Sequence, residues 1–198
     1  MIRSLLRPAC ALTVILTLLC GALYPAVVTS LAHILFPWQA SGSPIAVNGH
    51  VVGSALIGQR FTKPEYFHGR PSAAGDGYDA TASGGTNRGP TDSTLAALIA
   101  LRVDSAVADG AARGSVPADL VTASASGLDP HISPASARVQ IARVARARGV
   151  AGAQVDSLIA RAIEPRQLGI LGEPRINVLR LNLALDSAFT MSSAGKRS

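Results

Sequence analysis

The dominant pattern in the chain comes first. From Pro8 through Gln59 there is no Lys, Arg, Asp or Glu, and residues 11 to 35, "ALTVILTLLCGALYPAVVTSLAHIL", are dominated by Leu, Val, Ile and Ala. A hydrocarbon core about 30 Å thick takes roughly 20 apolar helical residues, so the run predicts a transmembrane helix over residues 11–36, with a little excess length for tilt. Phe36, Pro37 and Trp38 form its interfacial end, where amphipathic rings settle at headgroup depth. Pro25 has no donor N–H and predicts a kink within the helix, not its end. Gly21 and Ala22 offer the small surfaces that let neighbouring membrane helices approach closely.

Beyond the span the periodicity changes. Residues 38–50, "WQASGSPIAVNGH", read as a polar connector rich in turn-favouring residues, and "VVGSALIGQRF" reads as β structure interrupted by Gly53 and Gly58. Residues 62–90 form a long irregular stretch, of a kind that is usually functional or disordered. Three helices are predicted next. The first runs from Asp92 to Ala108, capped by Thr91 or Asp92, with Leu95, Leu98, Ile99 and Val103 on one stripe. The second is capped by Ser133, has Pro134 in its first position and ends at Gly149; Ala137, Ile141 and Val144 form its apolar face, and Arg138, Arg143 and Arg146 fan over another side. The third carries Val155, Leu158, Ile159, Ala162 and Ile163 at helical spacing and stops at Pro165. "RINVLRLNLAL" alternates around Leu179, Leu181 and Leu183 and predicts a strand whose end is also compatible with a helix. Residues 191–198 read as a flexible tail. The expected architecture is an α/β or α+β domain over residues 37–190 behind a single N-terminal transmembrane helix.

Charge orients this arrangement. Arg3 and Arg7 lie in residues 1–10, before the span, and the next charged residue is Arg60; the excess of basic residues on one side predicts a cytoplasmic N-terminus and an extracytoplasmic domain. The net charge of +6 then belongs mostly to that outer domain. Nucleic acid is not an expected partner, whereas lipid headgroups or an acidic protein face are. Two other readings of the apolar run compete: a secretory signal cleaved near Ser30-Leu31-Ala32, and a lipoprotein signal ending at Cys20. The run exceeds the roughly 7–15 residues of a signal core, and Leu19 occupies the place where lipoprotein processing wants a small residue. Both cysteines, Cys10 and Cys20, sit in or beside the span, so the outer domain has neither a disulfide framework nor a thiolate metal site. With aromatics at 4%, its core must be mainly aliphatic.

Candidate chemistry falls in three stretches. "YFHGRPSA" places His68, Arg70 and Ser72 near Asp76 and Asp79, which nominates a nucleophile, a base and a carboxylate. Without mutual geometry such a set has little weight. The structural reading has Tyr66 and Phe67 plugging the core, Gly69 permitting a turn, Arg70 pairing, and Pro71 restricting the backbone before it. "SGGTNRGP", with Arg88, is a glycine-bearing loop able to form an anion nest, but it lacks the Gly-Lys-Ser/Thr ending of a Walker A loop and reads better as a turn. "TASASGLDPHIS" offers Ser124, Ser126, Asp129 and His131, yet lacks the glycine that precedes the nucleophile in an elbow motif. The four histidines, His33, His50, His68 and His131, have no metal-site spacing. A membrane-anchored periplasmic hydrolase or an anion-binding domain is the alternative these stretches allow.

Taken together, "GSALIGQRF", "YFHGRPSA", "ASGGTNRGP", "VTASASGLDPHISPASARVQIARVARARG" and "LGEPRINVLRLNLAL", in that order behind a span ending in "FPWQA", resemble the KdpC family, the C subunit of the bacterial Kdp potassium-transporting P-type ATPase, along nearly the whole chain. The family pattern has an apolar residue where this chain has Arg88. The resemblance implies a single-pass inner-membrane accessory subunit that is not itself an enzyme and is needed for assembly and activity. Its implied partners are a P-type subunit that hydrolyses ATP and a channel-like subunit that binds potassium. ATP and potassium would be handled by those partners, with no cofactor or metal held by this chain. The family is also described as raising the pump subunit's affinity for ATP, as a catalytic chaperone; an external domain has no route to cytoplasmic ATP, so the effect would be coupled through the span. Tyr66, Phe67, His68, Gly69, Arg70, Arg88, Asp129 and His131 are then candidates for partner contact or for shaping the outer domain. Gly21, Ala22 and Pro25 are candidates for packing within the membrane.

Overall fold

A computed structural model describes residues 2–189, and the chain divides after Val52 into two compact units. The tail expected at 191–198 lies outside the described residues.

In the first unit, α1 (Ile2–Leu18), a π-helical turn (Leu19–Leu23) and α2 (Tyr24–Leu35) make one uninterrupted helical run. It begins at Ile2 rather than near residue 11, so Arg7 and Pro8 lie within it. Its segment Ser4–Leu35 has 32 residues, and its most apolar 18-residue window has a mean hydropathy of 2.2 and is nowhere buried, so it is long and apolar enough to cross a membrane. That separates it from the core helix of a soluble domain. At 1.5 Å per residue the segment is about 48 Å long, so it exceeds a hydrocarbon core of about 30 Å.

The kink expected at Pro25 takes the form of a wide turn. Proline cannot donate to the carbonyl four residues back, and the helix answers just before it by widening: Tyr24 N–H donates to Leu19 O, five residues back. Gly21 and Ala22 lie inside this turn, with Pro25 one residue into α2.

After α3 (Pro37–Ala40), where Trp38 Nε1 donates to Pro44 O at 2.9 Å, β1 (Pro44–Val47) and β2 (His50–Ser54) form a two-stranded sheet. Asn48 and Gly49 connect them at φ of 52° and 81°, the positive angles that a two-residue hairpin requires. Reading residues 38–50 as connector alone missed β1, although Asn-Gly between aliphatic pairs is a hairpin signal. The β structure expected from residue 51 ends at Ser54.

In the second unit, Asp92 caps α4 (Ser93–Ala108) by accepting from Thr94 N–H and Leu95 N–H, as expected. The helix lays its half-buried stripe against α5 (Ala118–Val121). There follow β3 (His131–Ile132), α6 (Pro134–Val139), α7 (Ile141–Arg148) and α8 (Gly152–Ala162). The single helix expected over 133–149 is thus two, meeting at the buried Gln140; Ser133 and Gly149 do cap its ends. "RINVLRLNLAL" is not a strand. Only β4 (Ile176–Asn177) is extended, pairing antiparallel with β3, and α9 (Val178–Ala188) takes the rest. Asn177 caps α9 through Arg180 N–H, and the buried residues Val178, Leu181, Asn182 and Leu185 follow helical spacing. The result is a mixed helix and sheet region of the α+β kind. Its core joins Phe67 and Ile132 to Val144, Val155, Ile159, Ile176, Leu181 and Leu185.

Candidate functional site

"YFHGRPSA" is held from two sides. Toward the core, Phe67 is fully buried. Its N–H donates to Asn182 Oδ1 at 2.8 Å, and Asn182 Nδ2 donates back to Phe67 O at 3.0 Å. One residue on, His68 N–H donates to Gln140 Oε1 at 2.8 Å and Gln140 Nε2 donates to His68 O at 3.1 Å. Two buried carboxamides therefore imitate the paired N–H···O exchange of a neighbouring strand. They satisfy backbone groups that would otherwise be costly to bury. This also explains the break between α6 and α7, since Gln140 points into the core rather than following the solvent face.

Arginines complete this inner side. Arg143 donates to Asp109 Oδ2 (3.0 Å), Pro64 O (2.7 Å), Tyr66 O (2.9 Å) and Gln140 Oε1 (2.6 Å). Of the three arginines expected to fan over another side of the helix, Arg143 turns inward to these partners. Arg148, its side chain wholly buried, donates to Asp186 Oδ1 at 2.7 Å and to Glu65 O at 2.8 Å, and lies 5.1 Å from the Tyr66 ring centroid. Tyr66 donates to Asp186 Oδ2 at 3.1 Å. Burial pushes its phenol pKa up, as do the hydrogen bond to Asp186 and that residue's charge. The His68 ring donates from Nε2 to Lys63 O at 3.1 Å, and burial followed by the Arg143 charge lowers its pKa.

On the other side the loop meets residues 122–131. Arg70 Nη1 donates to Asp129 Oδ2 at 3.1 Å, and its Nη2 lies 3.5 Å and 3.4 Å from the carbonyls of Thr122 and Ala123. The Arg70 Nε is buried without a hydrogen-bond partner. Asp129 Oδ1 accepts from His131 N–H at 2.9 Å. The His131 ring stands between two carboxylates, with Nδ1 3.4 Å from Asp129 Oδ1 and Nε2 3.9 Å from Glu164 Oε2. Arg175 closes the series on Glu164 at 3.1 Å. Burial opposes the charge on Asp129, but the hydrogen bonds from His131 and Arg70 outweigh it and hold the carboxyl below its ordinary range. Tyr78 donates to Arg70 O at 2.6 Å, and its pKa is pushed up to about 12 by burial, then by the Asp129 charge. Gly69 is required here because a Cβ would strike the Tyr78 hydroxyl.

The remaining nominees are also structural. Ser72 Oγ donates to Gly127 O at 2.6 Å and accepts from Tyr78 N–H at 2.7 Å. Asp79 caps the short turn 80–82 through Thr81 N–H. Ser126 Oγ accepts from Leu128 N–H at 3.1 Å, and no hydrogen bond joins Ser124 or Ser126 to His131 among the described residues. Gly84 N–H donates to Ser126 O at 2.9 Å, so part of the glycine loop is fastened to the same 122–131 segment. Arg88 stands apart from the cluster, paired with Asp92 at 2.9 Å.

The structure therefore brings Arg70, Asp129 and His131 into one polar series and joins Tyr66, Phe67 and His68 to the core. A cavity of about 290 Å³ borders His68, Gly69, Arg102 and Gln140, and an open basin of about 490 Å³ borders Arg70, Asp129, His131 and Arg175. No group of three or more His, Cys, Asp or Glu able to hold a metal occurs among the described residues. The sequence reading missed Gln140, Asn182, Arg148 and Tyr78. The first two carried a signal, a carboxamide placed on an otherwise apolar helix stripe.

The model of the family described as "K+-transporting ATPase, c chain" (KdpC) matches residues 6–187. The chain is similar to the potassium-transporting ATPase KdpC subunit of Gemmatimonas aurantiaca, at 68% identity over 183 residues that cover 92% of each chain. It is also similar to that of Rhodospirillum rubrum, at 56% over 97% of this chain and 100% of the other, and to that of Koribacter versatilis, at 53% over 91% and 93%.

Proposed function

Because the chain belongs to the KdpC family of K+-transporting ATPase c chains, we propose that it is a non-catalytic, membrane-anchored subunit of a potassium-importing ATPase, needed for the complex to assemble and run. In this reading the apolar helix remains as an uncleaved anchor in the inner membrane and packs through Gly21, Ala22 and Pro25 against helices of its partners. The second unit stands on the outer side. A P-type subunit hydrolyses ATP, a channel-like subunit binds potassium, and this chain holds neither.

What supports the non-catalytic reading is the use made of the nominated side chains. Arg70 and Ser72 fasten loop 66–72 to segment 122–131 through Asp129 and Gly127 O, the His68 ring is spent on Lys63 O, and Asp129 also accepts from His131 N–H. Among the described residues, none of the nominated serines is hydrogen-bonded to a histidine. A clamp of this kind gives a rigid outer surface, the form useful for binding a partner subunit.

An increase in the pump subunit's ATP affinity, if carried from an outer unit, requires this chain to contact two pump states differently, with the span as the physical link. The test is purification of the ATPase in mild detergent with and without this chain. The expected result is loss of intact, potassium-stimulated ATPase when the chain is absent; an assembled and fully active pump lacking it would overturn the reading.

A further inference from the structure

Between α8 and β4 the chain makes a narrow hairpin that meets the clamp only at its base, through Glu164 and Arg175. Its base is the antiparallel bridge between Glu164 and Arg175, with N–H···O bonds of 2.8 and 3.1 Å, and its upper rung pairs Gln167 with Leu171 at 2.9 Å in both directions. Arg166 spans the arms, reaching both carboxylate oxygens of Glu173 at 2.8 and 2.7 Å. At the tip, Leu168, Ile170 and Leu171 are 88%, 76% and 54% exposed. Leu168 sits at φ 54°, a left-handed conformation that is an outlier for a bulky residue. Backbone held there by its surroundings, with its aliphatic side chain turned outward, is strain of the sort found at functional contacts.

We propose that this tip is a preformed knob that docks into an aliphatic socket on a sister subunit of the same membrane complex, an inference that rests on the subunit reading above. Three observations select this occupant. The tip is rigidly built, by two bridges and a bidentate ion pair, and pre-organisation serves a shaped receptor; a fluid lipid surface asks for no fixed shape, and the tip carries no Trp or Tyr of the membrane-interface kind. The hairpin, residues 164–175, carries Glu164, Arg166, Glu173 and Arg175, a net charge of zero, and these four pair with one another. No unpaired charge is left to seek an anionic headgroup, so the contact falls to the aliphatic side chains of the tip. Finally, three side chains fall far short of the roughly 1,000 Å² that a free-standing complex buries. The contact suits a partner already held close by anchorage in the same membrane, where effective concentration replaces area.

The test uses the full chain within the detergent-purified complex. A photo-crosslinking residue at position 168 is expected to trap a sister subunit, identified by mass spectrometry. Leu168→Asp combined with Ile170→Asp is expected to leave the melting temperature of the isolated chain unchanged, because both positions are exposed. The same double substitution should lower the chain recovered with its partners on the order of tenfold, while Leu168→Met with Ile170→Val retains it. Crosslinks only to lipid, only to a second copy, or to nothing overturn the proposal, as does recovery of the doubly charged variant at the unsubstituted level. If that variant folds poorly, the crosslink decides. Should the pump assemble without the chain at all, it is the subunit reading that fails, and the two failures are told apart.

Discussion

Arg70 and Asp129 are each partly exposed, at 24% and 29% of side-chain area, yet they join two segments more than fifty residues apart in sequence. Removing Arg70 leaves a half-buried carboxylate with fewer donors and releases the carbonyls of Thr122 and Ala123, so Arg70→Ala is expected to cost about 1–3 kcal/mol. Arg70→Lys is expected to recover little, because one ammonium cannot replace a planar fork that reaches three acceptors. Melting of the purified chain measures both; a Lys variant as stable as the original would show that charge alone suffices. His68 gives a prediction in pH. Burial and Arg143 lower its pKa below the ordinary 6.5, although the Lys63 carbonyl and the Asp109 charge pull the other way. The unfolded chain therefore takes up the proton first as pH falls. Stability from this group is complete above about 6.5 and declines as pH drops toward the lower native value. His68→Gln stays neutral, so the difference in melting temperature between variant and unsubstituted chain should change between pH 7.5 and 5 and be flat above that interval.

At the scale of elements, the fastening of loop 66–72 rests on two carboxamides, Asn182 within α9 and Gln140 at the junction of α6 and α7. Asn182→Ala strands both the N–H and the carbonyl of the buried Phe67. Each unsatisfied group costs about 1–3 kcal/mol. A kcal/mol lowers the melting temperature of a chain this size by about 2–4 °C, so the two groups together predict a fall of about 4–24 °C. Asn182→Leu keeps the volume without the hydrogen bonds and should fall nearly as far; a Leu variant at the original temperature would mean that packing, not pairing, holds the loop.

The same residue shows where the sequence was legible. α4 and α8 were readable because their apolar stripes and stops, Asp92 on one and Pro165 on the other, are local signals. α9 was misread because Leu179, Leu181 and Leu183 alternate, and the decisive spacing runs through Asn182, a polar residue in a buried position. Gln140 broke an expected helix for the same reason. The clamp of Arg70, Asp129 and His131 was visible only as three separate nominations, since no local pattern reports that residues 70 and 129 meet.

For the whole molecule, the segment Ser4–Leu35 is apolar and unburied, while the second unit has its own aliphatic core and, at its clamp, a surface of paired charges. In the function proposed above the apolar helix anchors and the second unit makes the contacts, so the side of the membrane on which that unit lies decides what it can touch. Arg7 precedes the apolar run, and the next charge is Arg60; the bias of basic residues toward the cytoplasm then predicts an N-terminus inside. Thr91 is exposed at the start of the segment leading into α4, and Cys10 and Cys20 are the only native thiols. In a chain with Cys10→Ser and Cys20→Ser, Thr91→Cys is expected to react with a membrane-impermeant maleimide added to intact cells, at the rate seen after lysis. Reaction only after lysis would place the second unit in the cytoplasm. That would make direct contact with ATP physically open to this chain, and coupling through the span would no longer be needed to explain an effect on nucleotide affinity.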